Sequence, residues 1–219
     1  MQELAYIKNV EAEELLGEWH PLVEQLGSSE GLLTLGTATE ALRLPRVGNA
    51  AQLESFLESY KAHLLIPKEL PAILRSYRHA TRNETRELIA FDQALTRQPQ
   101  AEELARASRR AGQYQLKRLS PLRDHRLLQR YLLAVDEKRA QGWHTLVYGI
   151  TLSIYSMPVL QGLVFYERQT LRGFIEAAAR RLQLRQIECR CILARLCADI
   201  PERLDRLGGV RAGTVVRPR

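Results

Sequence analysis

Aromatic side chains make up only 6% of this 219-residue sequence, cysteine occurs three times, and no long apolar run is present. A membrane-spanning helix needs about 20 mostly apolar residues, so the sequence predicts none. The cysteines, Cys189, Cys191 and Cys197, lie in one short segment and are odd in number, unlike the disulfide framework of a secreted protein. The first residues are too acidic and too weakly apolar for a signal peptide. These absences predict a soluble, cytoplasmic protein.

Residue patterns for catalysis and cofactor binding are missing as well. The five histidines form no His-x-x-x-His or Glu-x-x-His pair of the kind that holds zinc on a helix. Cys189 and Cys191 would point about 200° apart around a helix, so we expect the cysteines to be small buried apolar residues. The sequence has no Gly-rich phosphate loop, Gly-x-Ser-x-Gly turn or cysteine with a nearby base. We therefore predict a protein that is not an enzyme and binds no metal or nucleotide directly.

Positive charge is abundant, with a formal net charge of +7 and a pI near 9.6. Between residues 106 and 130, eight basic residues accompany one acid, Asp124. The eight are Arg106, Arg109, Arg110, Lys117, Arg118, Arg123, Arg126 and Arg130. Such a region can be a solvated face, a phosphate-binding face of a nucleic-acid protein, or a docking site for an acidic protein. With only Tyr114 and Tyr131 available for base stacking, the solvated face is favoured and nucleic-acid binding is the weaker alternative.

Helical periodicity is clearest between residues 158 and 196. Apolar residues recur there at steps of three and four, which predicts one buried stripe along a helix. The stripe consists of Leu160, Leu163, Val164, Leu171, Phe174, Ile175, Ala178 and Leu182. The opposite, solvent-facing side consists of Glu167, Arg168, Arg172, Glu176 and Arg180. Because proline suits the first turn of a helix, the sequence predicts one long helix from Pro158 to about Leu182.

The rest of the sequence also divides into helices. Asn49 is a good N-cap for a helix over residues 50–64, and Pro67 is expected to end it. Further helices are predicted from residue 69 onward, over 81–96, 101–119 and 121–140, from 143 onward, over 184–198, and as a short turn over 201–207.

Strand signals are too few for a sheet, so the predicted fold class is all-α. We expect a single-domain multi-helix bundle with a long central C-terminal helix. Residues 1–207 would form the helical domain. Two glycines at positions 208 and 209 would then release residues 208–219 as a flexible basic tail.

The long helical stretch carries a resemblance to a known family. Tyr166, the small residues 177–179, Arg180 and Gln186, followed by residues 193–196, look like the C-terminal signature of the urease accessory protein UreF. The resemblance implies the same all-α fold that the periodicity predicts.

A second part of the resemblance lies upstream. The stretch from His144 to Gly149 is similar to the His-x-x-Val-x-Gly helix start of the same family. The family pattern can be followed by helix order over roughly residues 52–207. Near the N-terminus, the family's Pro-x-Gly-Gly-Phe and Ser-x-Gly-Leu-Glu stretches are reduced here to Gly31 and Glu40.

The resemblance implies a non-enzymatic accessory protein that helps to deliver nickel into apo-urease. It further implies a homodimer that binds a UreD-type scaffold, also called UreH, and recruits the GTPase UreG. Nickel and GTP would be held chiefly by these partners and not by this chain. The alternative function, a basic all-helical nucleic-acid-binding protein, comes from the charge pattern.

The candidate structural and partner-binding residues are His144, Gly149, Tyr166, Arg180, Gln186, Arg211, Arg217 and Arg219. Fourteen residues separate Tyr166 from Arg180, nearly four helical turns, so their side chains are expected to project from about the same side. In the UreF interpretation they form a latch that holds neighbouring helices or the tail, with Arg180 desolvated and bound to carboxylate or carbonyl oxygens. Without the resemblance, two independent surface residues are the preferred interpretation. The three tail arginines would suit an acidic groove on the scaffold partner.

Overall fold

A computed structural model describes residues 47–98 and 102–200, and every regular element within these ranges is helical. The α-helices of this part of the chain are α1 (Ala50–Tyr60), α2 (Leu70–Thr81), α3 (Thr85–Thr96), α4 (Glu102–Leu119), α5 (Arg126–Asp136), α6 (His144–Ile154), α7 (Val159–Leu182) and α8 (Gln186–Leu196). A π-helical segment, Lys61–Glu69, joins α1 to α2 without a break. The all-α prediction is therefore confirmed. The predicted turn at 201–207 and the basic tail at 208–219 lie outside the described residues.

The helix that starts at the N-cap Asn49 does not end at Pro67, as the sequence predicted, but continues into α2. Proline lacks a backbone N–H and its ring crowds the carbonyl one turn earlier, which normally breaks an α-helix. Here the chain widens into π-helical turns, in which the Leu70 N–H bonds to the Leu65 carbonyl five residues back. The wider turns accommodate the proline ring, and they place the Glu69 carboxyl against α7.

Five further predicted helix boundaries are wrong, because the observed helices begin later or end earlier than predicted. Asn83 has a left-handed backbone with φ of 59°, so α3 begins after it and not before it. Turns and irregular backbone occupy residues 120–125, so α5 begins only at Arg126. Lys138, with φ of 60°, prevents α5 from reaching residue 140. The last described helix, α8, is two residues shorter than predicted at each end.

The long helix α7 packs against α1, α2, α6 and α8, as its apolar stripe led us to expect. Phe174 is 1% exposed and meets Tyr60 and Phe56 of α1 edge-on, with ring centroids 5.0 and 6.1 Å away. The predicted solvent-facing side contains one error. Glu167 is buried, because the Lys61 ammonium from the π-helical segment lies 3.9 Å away and offsets the desolvation of its carboxylate.

Two glycines allow helices to approach each other closely. The largest helix contact is between α2 and α6, where a Cβ atom at Gly149 would lie 2.5 Å from the carbonyl oxygen of Ile73. Helix α4 crosses the segment before α6, where a Cβ atom at Gly112 would lie 2.0 Å from the carbonyl oxygen of Gly142. Neither site accepts a side chain without backbone movement. These close contacts leave residues 144–152 of α6 buried.

Candidate functional site

A chain of hydrogen-bonded polar side chains crosses the core beside α7 and ends at the half-buried Glu69, and we call it the Glu69 network. The Ser108 hydroxyl lies 2.5 Å from His144 Nδ1, and His144 Nε2 contacts the Tyr166 hydroxyl. The Tyr166 hydroxyl donates to Glu69 Oε2 at 3.0 Å, and the Tyr60 hydroxyl donates to Glu69 Oε1 at 2.7 Å. These five side chains come from α1, the π-helical segment, α4, α6 and α7. The network therefore connects elements that are far apart in the sequence.

One arrangement of protons satisfies every member of the Glu69 network. A neutral His144 with its proton on Nε2 donates to the Tyr166 oxygen and accepts from Ser108 at Nδ1. Both tyrosine hydroxyls then donate to the carboxylate. Burial raises the pKa of Glu69, while the two tyrosine hydrogen bonds act in the opposite direction. Burial also raises the pKa of Tyr60 and of Tyr166 well above the usual range, so both hydroxyls remain donors.

The serine and histidine of the network resemble a nucleophile with its base, but their surroundings suit a structural role. Burial lowers the pKa of His144 to about 4, so the imidazole is a weak base at neutral pH. Both of its ring nitrogens already contact buried hydroxyl groups, and Ser108 is buried too. The network can therefore fix how the helices pack, since fully satisfied buried polar groups favour one arrangement of a core.

The buried carboxylate of Asp92 fixes the segment between α5 and α6. Asp92 of α3 has no exposed surface and accepts a hydrogen bond from the Tyr131 hydroxyl at 2.6 Å. It also accepts from the backbone N–H groups of Gln141 and Gly142, at 2.6 and 3.0 Å. Burial raises the pKa of Asp92, and these donors act against that effect. Because α6 begins at His144, two residues after this turn, Asp92 also positions the histidine of the Glu69 network.

Charged side chains join α8 to α1 and to the π-helical segment. Arg195 donates two hydrogen bonds to the Glu54 carboxylate of α1, at 2.5 and 2.7 Å. The Lys61 ammonium contacts the Asp199 carboxylate and the Leu196 carbonyl at the end of α8. The last described helix is thus held by ionic contacts as well as by apolar packing.

Comparison with protein families shows which family has this sequence and arrangement of helices. The UreF family model matches residues 47–197, a range that includes α1 to α8 and more than half of the chain. The chain belongs to the UreF family. UreF proteins are urease accessory chaperones and not enzymes, so this protein has a urease accessory role. No curated protein matches the sequence.

The UreF-like candidate residues lie in different surroundings. His144 and Tyr166 come together in the Glu69 network, and Gly149 lies at the tight contact between α2 and α6. Arg180 is exposed in the last turn of α7, and Gln186 is the exposed first residue of α8. The tail candidates Arg211, Arg217 and Arg219 lie outside the described residues. Partner-binding roles for all of these residues remain predictions.

Tyr166 and Arg180 do not share one environment, although both belong to α7. Tyr166 is 6% exposed and bonds to Glu69, whereas Arg180 lies at the surface. The expectation that Arg180 is desolvated is therefore wrong. Near the C-terminus of a helix, a guanidinium group can stay in water and still interact with the negative end of the helix dipole. Of the two residues, only Tyr166 joins the Glu69 network.

Asp92 and Glu69, whose carboxylates accept these two sets of hydrogen bonds, were not predicted from the sequence. Asp92 lies four residues after Leu88 and three before Leu95, so it interrupts an apolar stripe of α3. That interruption was a usable signal, because a buried acid needs hydrogen-bond donors. Glu69 follows Pro67 by two residues, and its orientation depends on π-helical turns that the pattern did not predict.

The cysteines differ from the expectation that all three are buried. Cys191 is exposed, and Cys189 and Cys197 are partly buried, because one side of α8 faces away from the core. Burial raises the pKa of the Cys189 and Cys197 thiols. Within residues 47–98 and 102–200, no group of three or more His, Cys, Asp or Glu side chains could hold a metal ion. In the same ranges no helix has the length and apolar character needed to cross a membrane.

Exposed positive charge is concentrated where α4 turns into α5. The exposed cations of this turn are Lys117, Arg118, Arg123, Arg126 and Arg130, and we call them the basic corner. Gln129 fixes the corner, since its Nε2 atom donates to the Ser120 and Leu122 carbonyl oxygens at 3.1 Å each. Two large exposed apolar residues flank the corner: Tyr114 on α4 and Leu133 on α5.

Proposed function

We propose that this protein is a non-enzymatic urease maturation factor that bridges a UreD-type scaffold, also called UreH, and the GTPase UreG while nickel is inserted into apo-urease. The observation that carries the proposal is the UreF family match over residues 47–197. Because this range includes the helices that form the core, the resemblance applies to the folded body and not to an isolated motif. Its place of action would be the cytoplasm, where free thiols such as those of α8 stay reduced.

In this proposal the chain contributes surfaces, and the partners hold nickel and GTP. The Glu69 network and Asp92 keep the interior in one arrangement, so the exposed side chains have fixed positions. The end of α8 and the three arginines of the tail would meet the scaffold, where positive charge suits an acidic groove. A homodimer would present each of these surfaces twice, related by a two-fold axis.

Urease activation tests the accessory role. A urease operon that lacks its own UreF is expressed with and without this protein, and urease activity and nickel content of the purified urease are measured. We expect both to rise when the protein is present. Full activity and nickel content without this protein, or neither with it, would contradict the proposal.

A three-component capture experiment tests the bridging role. The UreD-type scaffold is immobilised, and UreG is applied with or without this protein at equal concentration. We expect UreG to be retained only when this protein is present. Equal retention in both samples would leave the accessory role intact but would exclude bridging.

Deletion of residues 210–219 tests the proposed role of the tail. The truncated protein should keep its melting temperature, since the sequence of this segment has no apolar stripe to pack. Capture of the UreD-type scaffold should weaken, and capture of UreG should not. A large drop in melting temperature would show that the tail belongs to the folded body.

A further inference from the structure

The basic corner has an unusual balance of charge. Across residues 104–135, Asp124 is the only acid, while the basic corner alone has five exposed cations. Concentrated charge of one sign at a surface attracts opposite charge and speeds the encounter with a complementary partner. A solvated face would not need so one-sided a composition, because neighbouring acids would lower the repulsion among the arginines.

The side chains that flank the corner suit contact with a protein. On α5, Arg126, Arg130 and Leu133 follow one another at four- and three-residue steps, so they share a face of the helix. On α4, Tyr114 precedes Lys117 by one turn. Tyr114 is 48% exposed and Leu133 is 51% exposed. Tyrosine and arginine beside exposed apolar surface are typical of the central residues of protein interfaces.

Nucleic acid fits this surface less well than protein does. Binding of single strands relies on several aromatic side chains that stack on successive bases. The corner offers one exposed aromatic residue, Tyr114, because Tyr131 is buried and bonded to Asp92. The Leu133 side chain has no hydrogen-bond donor for a phosphate group.

Hydrogen bonds and buried side chains hold the backbone of the corner in place. The Gln129 side chain joins the connection between the two helices to α5 through two hydrogen bonds. Leu119 at the end of α4 and Leu127 in α5 are buried, which fixes the two helices from the inside. A rigid surface loses less entropy on binding than a flexible one, so it can support higher affinity from the same contacts.

We propose that the basic corner, together with Tyr114 and Leu133, is a docking surface for a protein that presents carboxylates around an apolar centre. The proposal rests on the proposed function, since we take the acidic protein to be one of the urease accessory partners or apo-urease. The corner is built on α4 and α5, whereas α8 is anchored on α1 and the π-helical segment. The protein therefore has a second surface apart from its C-terminal one, as a bridging protein requires.

Matched charge reversals in the full-length protein test the docking surface. The corner variant carries Arg123→Glu and Arg126→Glu, and the control variant carries Arg86→Glu and Arg97→Glu at exposed positions of α3 and its C-cap. Each variant has the same formal net charge, four lower than the +7 of the wild type. A third variant, Leu133→Ser, removes the apolar contact without a change in charge. Circular dichroism and melting temperature show whether each variant remains folded.

Binding is measured separately to purified UreD-type scaffold, UreG and apo-urease at low and at moderate salt. For one of the three, we expect the corner variant to bind about tenfold or more weakly at low salt and to show a smaller dependence on salt. The control variant should bind within about twofold of the wild type, and Leu133→Ser should weaken binding to that same protein at both salt concentrations.

Three outcomes would overturn the proposal. If the wild type binds its partners and the corner variant binds them equally well, the docking surface is wrong and the proposed function stands. If the wild type binds none of the three proteins, the proposed function and the docking surface both fail. If a short RNA duplex binds the wild type more tightly than any of the three proteins do, and the corner variant loses that binding, the surface is a nucleic-acid site instead.

Discussion

The stability of this protein should fall in mildly acidic solution because of one residue, His144. Burial lowers the pKa of this histidine from 6.5 to about 4 in the folded state. In the unfolded chain it accepts a proton near pH 6.5, so between pH 6.5 and 4 the unfolded state binds more protons than the folded state does. Protons then favour unfolding, and the contribution of His144 is complete above pH 6.5 and is lost as the pH falls towards 4.

The expected size of this effect follows from the two pKa values. One pH unit corresponds to about 1.4 kcal/mol for each proton. Through His144 alone, the free energy of unfolding should therefore be about 3 kcal/mol smaller at pH 4 than at pH 7. Glu69 and Asp92 act with the opposite sign, because burial raises the pKa of each carboxyl and the folded state takes up their protons first. A comparison of the wild type with a His144 variant across pH removes the contributions of Glu69 and Asp92, which both proteins share.

The assay is urea unfolding, followed by circular dichroism, of the wild type and of His144→Gln from pH 7 to pH 4. Glutamine cannot accept a proton, so the variant should be less stable at pH 7 but should lose less stability as the pH falls. The difference between the two proteins should shrink by about 3 kcal/mol across this range. His125, which is exposed, provides a control for the substitution itself, and His125→Gln should change the free energy of unfolding at pH 7 by less than about 0.5 kcal/mol. A constant difference between wild type and His144→Gln would refute the assigned protonation of the Glu69 network.

Five further substitutions test the packing by the same urea unfolding. Phe174→Ala should lower the free energy of unfolding by about 3–5 kcal/mol, because the ring is 1% exposed, whereas Ile187→Ala at a 58% exposed position should cost less than about 1 kcal/mol. Asp92→Asn should cost about 1–3 kcal/mol, because an amide nitrogen cannot accept from the hydroxyl and N–H groups that surround it. Gly149→Ala should cost about 1–3 kcal/mol through overpacking against α2. Arg180→Ala should change stability by less than about 0.5 kcal/mol, and a larger loss would reveal a contact with residues beyond the described ranges.

Residue patterns predicted a helix well where its apolar stripe and its end residues lie within the helix itself. The apolar stripe and the early proline placed α7 within a residue of its observed start, and Phe174 is buried as expected. The solvent-facing side was less predictable. Glu167 is buried because Lys61, more than 100 positions earlier in the sequence, lies beside it. The residue pattern of one helix cannot predict a contact between residues so far apart in the sequence.

The Glu69 network could not be predicted for a similar reason. Its hydrogen bonds join residues up to 97 positions apart, and the carboxylate reaches them only because the backbone around Pro67 is π-helical. The resemblance to UreF includes both His144 and Tyr166, and in the structure their side chains contact each other within the Glu69 network. Arg180 carried the same resemblance but lies at the surface, so a family motif did not by itself separate buried from exposed members.

The π-helical segment also determines whether the chain can gain or lose a residue between α1 and α2. A π turn contains one residue more than an α turn, and each residue of an α-helix rotates the following side chains by about 100°. The segment Lys61–Glu69 therefore sets the phase between the face of α1 that meets α7 and the face of α2 that meets α6. Removing one residue there would rotate α2 by about 100° relative to α1 and turn Ile73 and Ser76 away from α6, where the Ser76 hydroxyl bonds to the Leu146 carbonyl. Substitutions at exposed positions of this segment, such as Ala62 and Lys68, should be tolerated far better than insertions or deletions of a single residue.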